Sequence, residues 1–174
     1  MGHDKLTGLC VSMVLALVNP ALAASVTVDI HEITPAGLQD KIGSVVLSDS
    51  EQGLILDVNI SNLPAGERGF HIHENGDCGP GEKDGTMTAG LAAGAHYDPQ
   101  NTKTHQGPDG SGHKGDLPRL NIAKGQTKLT APRITVSEVR GRSIVVHEGG
   151  DTYSDNPELG GGKARIACGV ISKP

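Results

Sequence analysis

From residue 25 onward the chain alternates apolar and polar positions with a period of two. Val26, Val28 and Ile30 alternate with Thr27, Asp29 and His31. Val45 and Leu47 do likewise, and Leu54, Leu56, Val58 and Ile60 alternate strictly across Gly53–Ile60. Phe70 and Ile72 alternate with His71 and His73, and Ile144 and Val146 with Val145 and His147. Residues 164–171 read as a last strand. Successive side chains of a strand face opposite sides, so this period predicts strands with one apolar face, separated by turns. No segment sustains a helical period, and residues 135–141 allow one short turn of helix. Short strands spaced by turns predict an all-β fold, an antiparallel sandwich or barrel. Two long Gly-rich stretches, 76–118 and 149–163, break the rhythm, and loops of that length in a compact domain are usually functional or disordered. The first carries three of the eight His, which favours function.

The start of the chain is different. Lys5 precedes an uncharged stretch over 6–18, then Pro20 and Ala21-Leu22-Ala23. This predicts a secretory signal over residues 1–23, cleaved after Ala23 or Ala24, with one domain over 24–174. The stretch is shorter than the ~20 apolar residues that span a bilayer. The expected location is the periplasm, with no membrane association after cleavage. Removing Cys10 leaves Cys78 and Cys168, an even pair in an exported chain, for which a disulfide is the expected state.

Composition narrows the function. Fifteen Lys and Arg against twenty Asp and Glu give a net charge of −5, which excludes a nucleic-acid partner. With no Trp, one Phe and two Tyr, the core must be aliphatic, and no base-stacking platform exists.

The histidines carry the candidate chemistry. His71 and His73, two apart on a strand, share a face. His96, His105, His113 and Asp116 follow in the first long loop, and three imidazoles with one carboxylate suit a closed, tetrahedral zinc site. His147 ends a strand; with His71, His73 and His96 it completes four nitrogens, a set that suits Cu(II). His96 would then serve both ions through its two ring nitrogens. The G-x-G-x-x-G match at Gly110-Ser111-Gly112-His113-Lys114-Gly115 lies between Pro108 and Pro118, with no strand before it or helix after it, so a dinucleotide site is excluded.

These segments resemble the copper,zinc superoxide dismutase family, in its exported bacterial branch. The resemblance rests on Gly69-Phe70-His71-Ile72-His73-Glu74, Gly94-Ala95-His96-Tyr97-Asp98-Pro99 and Gly112-His113-Lys114-Gly115-Asp116-Leu117-Pro118. Val146-His147-Glu148-Gly149-Gly150-Asp151 and Ala164-Arg165-Ile166-Ala167-Cys168-Gly169-Val170-Ile171 complete it. It implies a Greek-key β-sandwich or barrel of about eight strands with two long functional loops. It implies one copper on His71, His73, His96 and His147, and one zinc on His96, His105, His113 and Asp116. Asp151 would hydrogen-bond ligands of both metals, and Cys78 and Cys168 would form the family disulfide. The implied reaction is disproportionation of superoxide to O₂ and H₂O₂ by copper cycling between Cu(II) and Cu(I). His96 would carry a proton, and Arg165 would attract and position the anion. The substrate is then a small anion, and a homodimer is left open. A periplasmic copper or zinc storage or delivery protein is the alternative; Arg165 separates the two, because storage needs no cation beside the metal. Two positions depart from the family pattern: Lys163 stands where Gly is usual and Thr152 where Asn is common.

Overall fold

The computed structural model describes Met1 and residues 25–122 and 126–174. Apart from Met1, the expected signal segment lies outside the described residues. The elements are β1 (Ser25–Thr34), β2 (Gly37–Ser50), β3 (Gly53–Ile60), β4 (Glu67–Arg68), β5 (Phe70–His73), β6 (Gly81–Lys83) and β7 (Thr86–Thr88). They continue with β8 (Leu120–Asn121), β9 (Thr127–Ala131), α1 (Val136–Val139), β10 (Ser143–His147) and β11 (Arg165–Val170).

Seven strands form one sheet in the order β5-β10-β11-β1-β2-β3-β9, and every pairing is antiparallel. Neighbours that are distant in sequence, β1 beside β11 and β3 beside β9, are the crossovers of a Greek key. β4 and β5 lie on one strand line broken at Gly69, and β8 pairs with β4 at that edge. β9 lies at the opposite edge of the seven-stranded sheet. Among the described residues, no helix is long and apolar enough to cross a membrane.

The alternation read from the sequence becomes the inside and outside of this barrel. Val26, Val28 and Ile30 of β1 and Leu54, Leu56, Val58 and Ile60 of β3 are buried in one cluster with Phe70, Ile72, Ile144 and Val146. β5 and β10 differ from β1 and β3, because every residue of both is buried. Their inner positions join the core, and their outer positions, His71, His73, Val145 and His147, lie under loops. This is why polar side chains at alternate positions here are not solvent-facing.

The first long gap is less bare than its composition suggests. It contains the β6–β7 hairpin and a 3₁₀ turn over Leu91–Ala93. β6 and β7 have three residues each, too few to show a period. β9 is an edge strand with only Ala131 buried, so it also lacked an apolar signature. These short pieces raise the strand count above the expected eight or so.

The disulfide is formed. Cys78 of the first loop bonds Cys168 of β11 across 90 residues, in a second buried cluster with Ile33, Ala93 and Val145. It ties that loop to the barrel wall. Closing a loop of this length stabilises by about 4–5 kcal/mol in the chain-entropy model. Urea unfolding with and without reductant is expected to differ by roughly that amount; equal midpoints would mean that the bond adds nothing.

Candidate metal centre

The centre is built on the outer face of β5 and β10. Antiparallel register places Val145 opposite His71 and Ser143 opposite His73. β10 then breaks register with β11 between Val146 and His147, and His147 pairs with Arg165. Such a bulge re-aims a side chain, and here it falls at the histidine that joins the cluster and at the arginine beside it.

The long loop is stitched to β5 by backbone bonds. Ile72 N–H donates to Gly115 O at 2.9 Å, and Ile72 O accepts from Tyr97 N–H at 2.8 Å. His96 and Asp116, next to those residues, are thereby brought beside His73 and His71. His113 N–H donates to Thr104 O at 2.8 Å, which sets His105 and His113 on either side of that closure.

All six histidines are buried, with His71, His73 and His105 at 0% exposure. Their rings are close: the His71 and His96 centroids lie 4.0 Å apart, His96 and His113 5.3 Å, and His96 and His105 5.4 Å. The donor atoms of His71, His73, His96 and His147 lie within 4.8 Å of one another, as do those of His71, His96, His105 and Asp116. His113 adds to the second group through Nδ1, 3.4 Å from Asp116 Oδ1.

The hydrogen bonds decide which nitrogens are free. His73 Nδ1–H donates to Gly94 O at 2.9 Å, and His147 Nδ1–H to Lys163 O at 3.5 Å. Their Nε2 atoms, 3.4 Å apart, are therefore two lone pairs facing each other. His71 Nε2–H donates to Asp151 Oδ2 at 2.7 Å, which leaves a buried His71 Nδ1 with no partner. His105 Nε2–H donates to Asp151 Oδ1 at 2.7 Å. Nδ1 of His105 and Nδ1 of His96 each lie 3.1 Å from Asp116 Oδ1. His105 Nδ1 and His113 Nδ1 are buried without a hydrogen bond. Buried acceptors aimed at one another are repulsive and costly unless a cation lies between them. Two such points exist, and the donor sets fit the two metals: four imidazoles at one, three imidazoles with a carboxylate at the other.

Electrostatics agree. Burial, then neighbouring imidazoles, hold His73 and His147 well below the ordinary histidine range. Burial and His71 push His96 down to about 3. These rings stay neutral, as ligands must. Burial also opposes charge on His105, but Asp116 and Asp151 outweigh it and raise the ring to about 9. Both carboxylates sit well below their usual range, because hydrogen bonds from the histidines overcome burial. The second point therefore demands positive charge. Asp151 connects the two, holding His71 with one oxygen and His105 with the other.

Arg165 borders the centre. Its Nη1–H donates to Gly90 O at 2.6 Å and its Nη2–H to Gly94 O at 2.7 Å. A cleft of about 330 Å³ reaches His96 and His147, and its walls include Arg165, Lys163, Lys83 and Glu158. Lys163 holds a left-handed backbone, φ 61°, at the position where Gly is usual. Lys83 carried no sequence signal; the β6–β7 hairpin alone brings it to the mouth. The structure gathers His71, His73, His96, His105, His113, His147, Asp116 and Asp151 here with Arg165 at the border, while Cys78 and Cys168 lie in the separate buried cluster described above.

A curled antiparallel β-barrel with two adjacent groups of buried donors that share His71 and His96 defines a two-metal protein whose open side is a cationic cleft. A family model described as copper/zinc superoxide dismutase matches residues 41–171. A superoxide dismutase [Cu-Zn] from Brucella abortus is 51% identical over 165 residues, covering 92% of this chain and 95% of that one. One from Escherichia coli (strain K12) is 44% identical over 164 residues, covering 91% and 95%. The solved Cu/Zn superoxide dismutase from Brucella abortus superposes with a TM-score of 0.83 at 51% identity, over 86% of this chain and 100% of that one. The chain belongs to the copper/zinc superoxide dismutase family. Its activity is disproportionation of superoxide to O₂ and H₂O₂, with one copper and one zinc per subunit.

Proposed function

We propose that His71 Nδ1, His73 Nε2, His147 Nε2 and His96 hold the copper, and that Nδ1 of His96, His105 and His113 with Asp116 hold the zinc. The observation that carries this is the convergence of ring nitrogens on two points: Nε2 of His73 faces Nε2 of His147 at one, and Nδ1 of His96, His105 and His113 gather on Asp116 Oδ1 at the other. His71 belongs to both donor groups by distance. Its Nε2 is engaged by Asp151, so one nitrogen remains to serve one ion. His96 has neither ring nitrogen tied to a backbone carbonyl, which suits the shared ligand. When bound, copper supplies the one-electron cycle that oxidises one superoxide and reduces the next, while zinc has no redox chemistry and supplies fixed charge.

The chain's own residues do the rest. The His73 and His147 rings are locked by the Gly94 and Lys163 carbonyls, so their free nitrogens need no reorganisation. Arg165, braced on two carbonyls, attracts the anion and orients it beside His96. A net-negative chain draws an anion in only through a local positive field, and superoxide dismutases are themselves a known instance of such steering. Lys83 and Lys163 place further positive charge at the mouth of the cleft, against Glu158. We further propose export to the periplasm through residues 1–23, with cleavage after Ala23 or Ala24.

Arg165→Ala tests the anion role. The variant is expected to keep both metals, to lose roughly tenfold or more in rate at low salt, and to show a flatter dependence on ionic strength. Stopped-flow decay of superoxide across a salt series reads both quantities. An unchanged rate would remove Arg165 from the mechanism.

A further inference from the structure

Between β9 and α1 lies a side chain that the metal centre does not use. Arg133 is half-buried and reaches from the barrel wall under the loop that joins His105 to His113. Its Nε–H donates to Pro108 O at 2.8 Å and its Nη1–H to Gly112 O at 3.1 Å. Its Nη2 donates to Gly107 O at 3.1 Å and to His113 O at 2.7 Å. Four of the guanidinium's five N–H donors thus go to carbonyls of one loop. All four residues that offer those carbonyls are buried, in a stretch with no strand ladder to satisfy them. Buried carbonyls without donors are costly, so the loop's shape depends on a donor at its centre.

The two ends of this arrangement differ in what holds them. The loop is closed by the His113–Thr104 backbone bond, with His105 and His113 at its neck, and is crossed inside by Ser111, whose N–H and hydroxyl both donate to Gln106 Oε1 at 3.0 Å. Arg133 stands on the barrel: Ala131 pairs with Leu54 in the β9–β3 ladder, and Ile134 and Val136 are buried in the core. Val136 N–H also donates to Asp49 Oδ1 at 2.8 Å. None of these barrel contacts involves a metal-binding residue. The framework therefore presents a planar fork, fixed in place, to a loop whose internal bonds do not reach the Gly107, Pro108 and Gly112 carbonyls. Lysine cannot reproduce this, because its donors radiate from one point on a flexible stem.

We propose that Arg133 is a positioning residue for the zinc half of the centre. It holds the His105–His113 loop in its ligating shape before the ion arrives and so sets zinc affinity without touching the ion. This rests on the reading that His105, His113 and Asp116 hold zinc. Arg133→Lys and Arg133→Gln are expected to bind zinc at least about tenfold more weakly, the range seen when partners of ligands are removed. Cobalt(II) in the zinc position is expected to give shifted, broadened visible bands. In the metal-free chains, amides 105–113 are expected to exchange faster than in the parent. Free guanidinium ion, at sub-denaturing concentration, is expected to restore part of the zinc affinity of Arg133→Gly. Unchanged zinc affinity, cobalt spectrum and metal-free exchange in Arg133→Gln would overturn the proposal. So would an equal loss of zinc in the core variant Val58→Ala at matched stability, since the effect would then be global. Asp116→Ala separates the two layers. If it keeps parental zinc affinity, the ligand assignment fails; if it loses zinc while Arg133→Gln does not, only the role of Arg133 fails.

Discussion

Replacing His147 by alanine is expected to abolish copper binding and dismutation while leaving zinc in place. His147 contributes a neutral Nε2 lone pair aimed at that of His73, and its Nδ1–H is held by the Lys163 carbonyl. Alanine removes a ligand nitrogen and leaves a gap that opens on the cleft. Loss of a group one step removed from a metal weakens binding by ~10–100-fold, and loss of a ligand is expected to exceed that. The zinc group does not include His147. Metal analysis after dialysis should therefore find zinc without copper, and stopped-flow should find no fast superoxide decay. Full activity in this variant would refute the copper assignment.

The second large effect is expected at Asp151. One of its oxygens accepts from His105 Nε2 and Tyr153 N–H, the other from His71 Nε2. Asp151→Asn keeps the shape but offers one oxygen and one NH₂ group. Whichever way the amide turns, one imidazole N–H faces a donor. That ring must move its proton to Nδ1, the nitrogen needed for metal. The variant also removes one of the two carboxylates that raise His105 to about 9, and with it the negative charge that favours a cation there. Zinc affinity is expected to fall by about 10–100-fold, and copper less, because the copper group keeps its other imidazoles. Competition with a chromophoric chelator measures both, and parental zinc affinity in Asp151→Asn would show that the carboxylate does not organise the site.

Much of this centre is legible in the sequence alone. The period-two runs named β1, β3, β5 and β10 because one face of each strand fills an aliphatic core. His71 and His73 follow from strand geometry, and His96, His105, His113 and Asp116 from their crowding in a loop too long to be idle. Three things were not legible. The β6–β7 hairpin is too short to show a pattern, so Lys83 reached the cleft unannounced. The bulge at His147 depends on how β10 meets β11, which no local pattern encodes. Arg133 satisfies carbonyls 20 to 26 residues away in sequence, and an arginine in a turn looks like any solvated charge until the loop is seen around it. Long-range arginine-to-carbonyl bonds recur here: Arg68 reaches Glu148 O, and Arg142 reaches Glu74 O while lying over the Tyr97 ring. His96, His105, His113 and Asp116 lie on loops, but cations fixed on the barrel hold loop backbones in place.

The most direct test is the rate of superoxide decay with the mature, disulfide-bonded chain loaded with one copper and one zinc, measured at low and moderate salt. A fast rate that falls as salt rises is the predicted result, since it requires a redox copper on the four histidines and a cationic cleft that draws in the anion. Absence of dismutation from a fully loaded protein would contradict it, and the same residues would then be holding metals for storage rather than for catalysis.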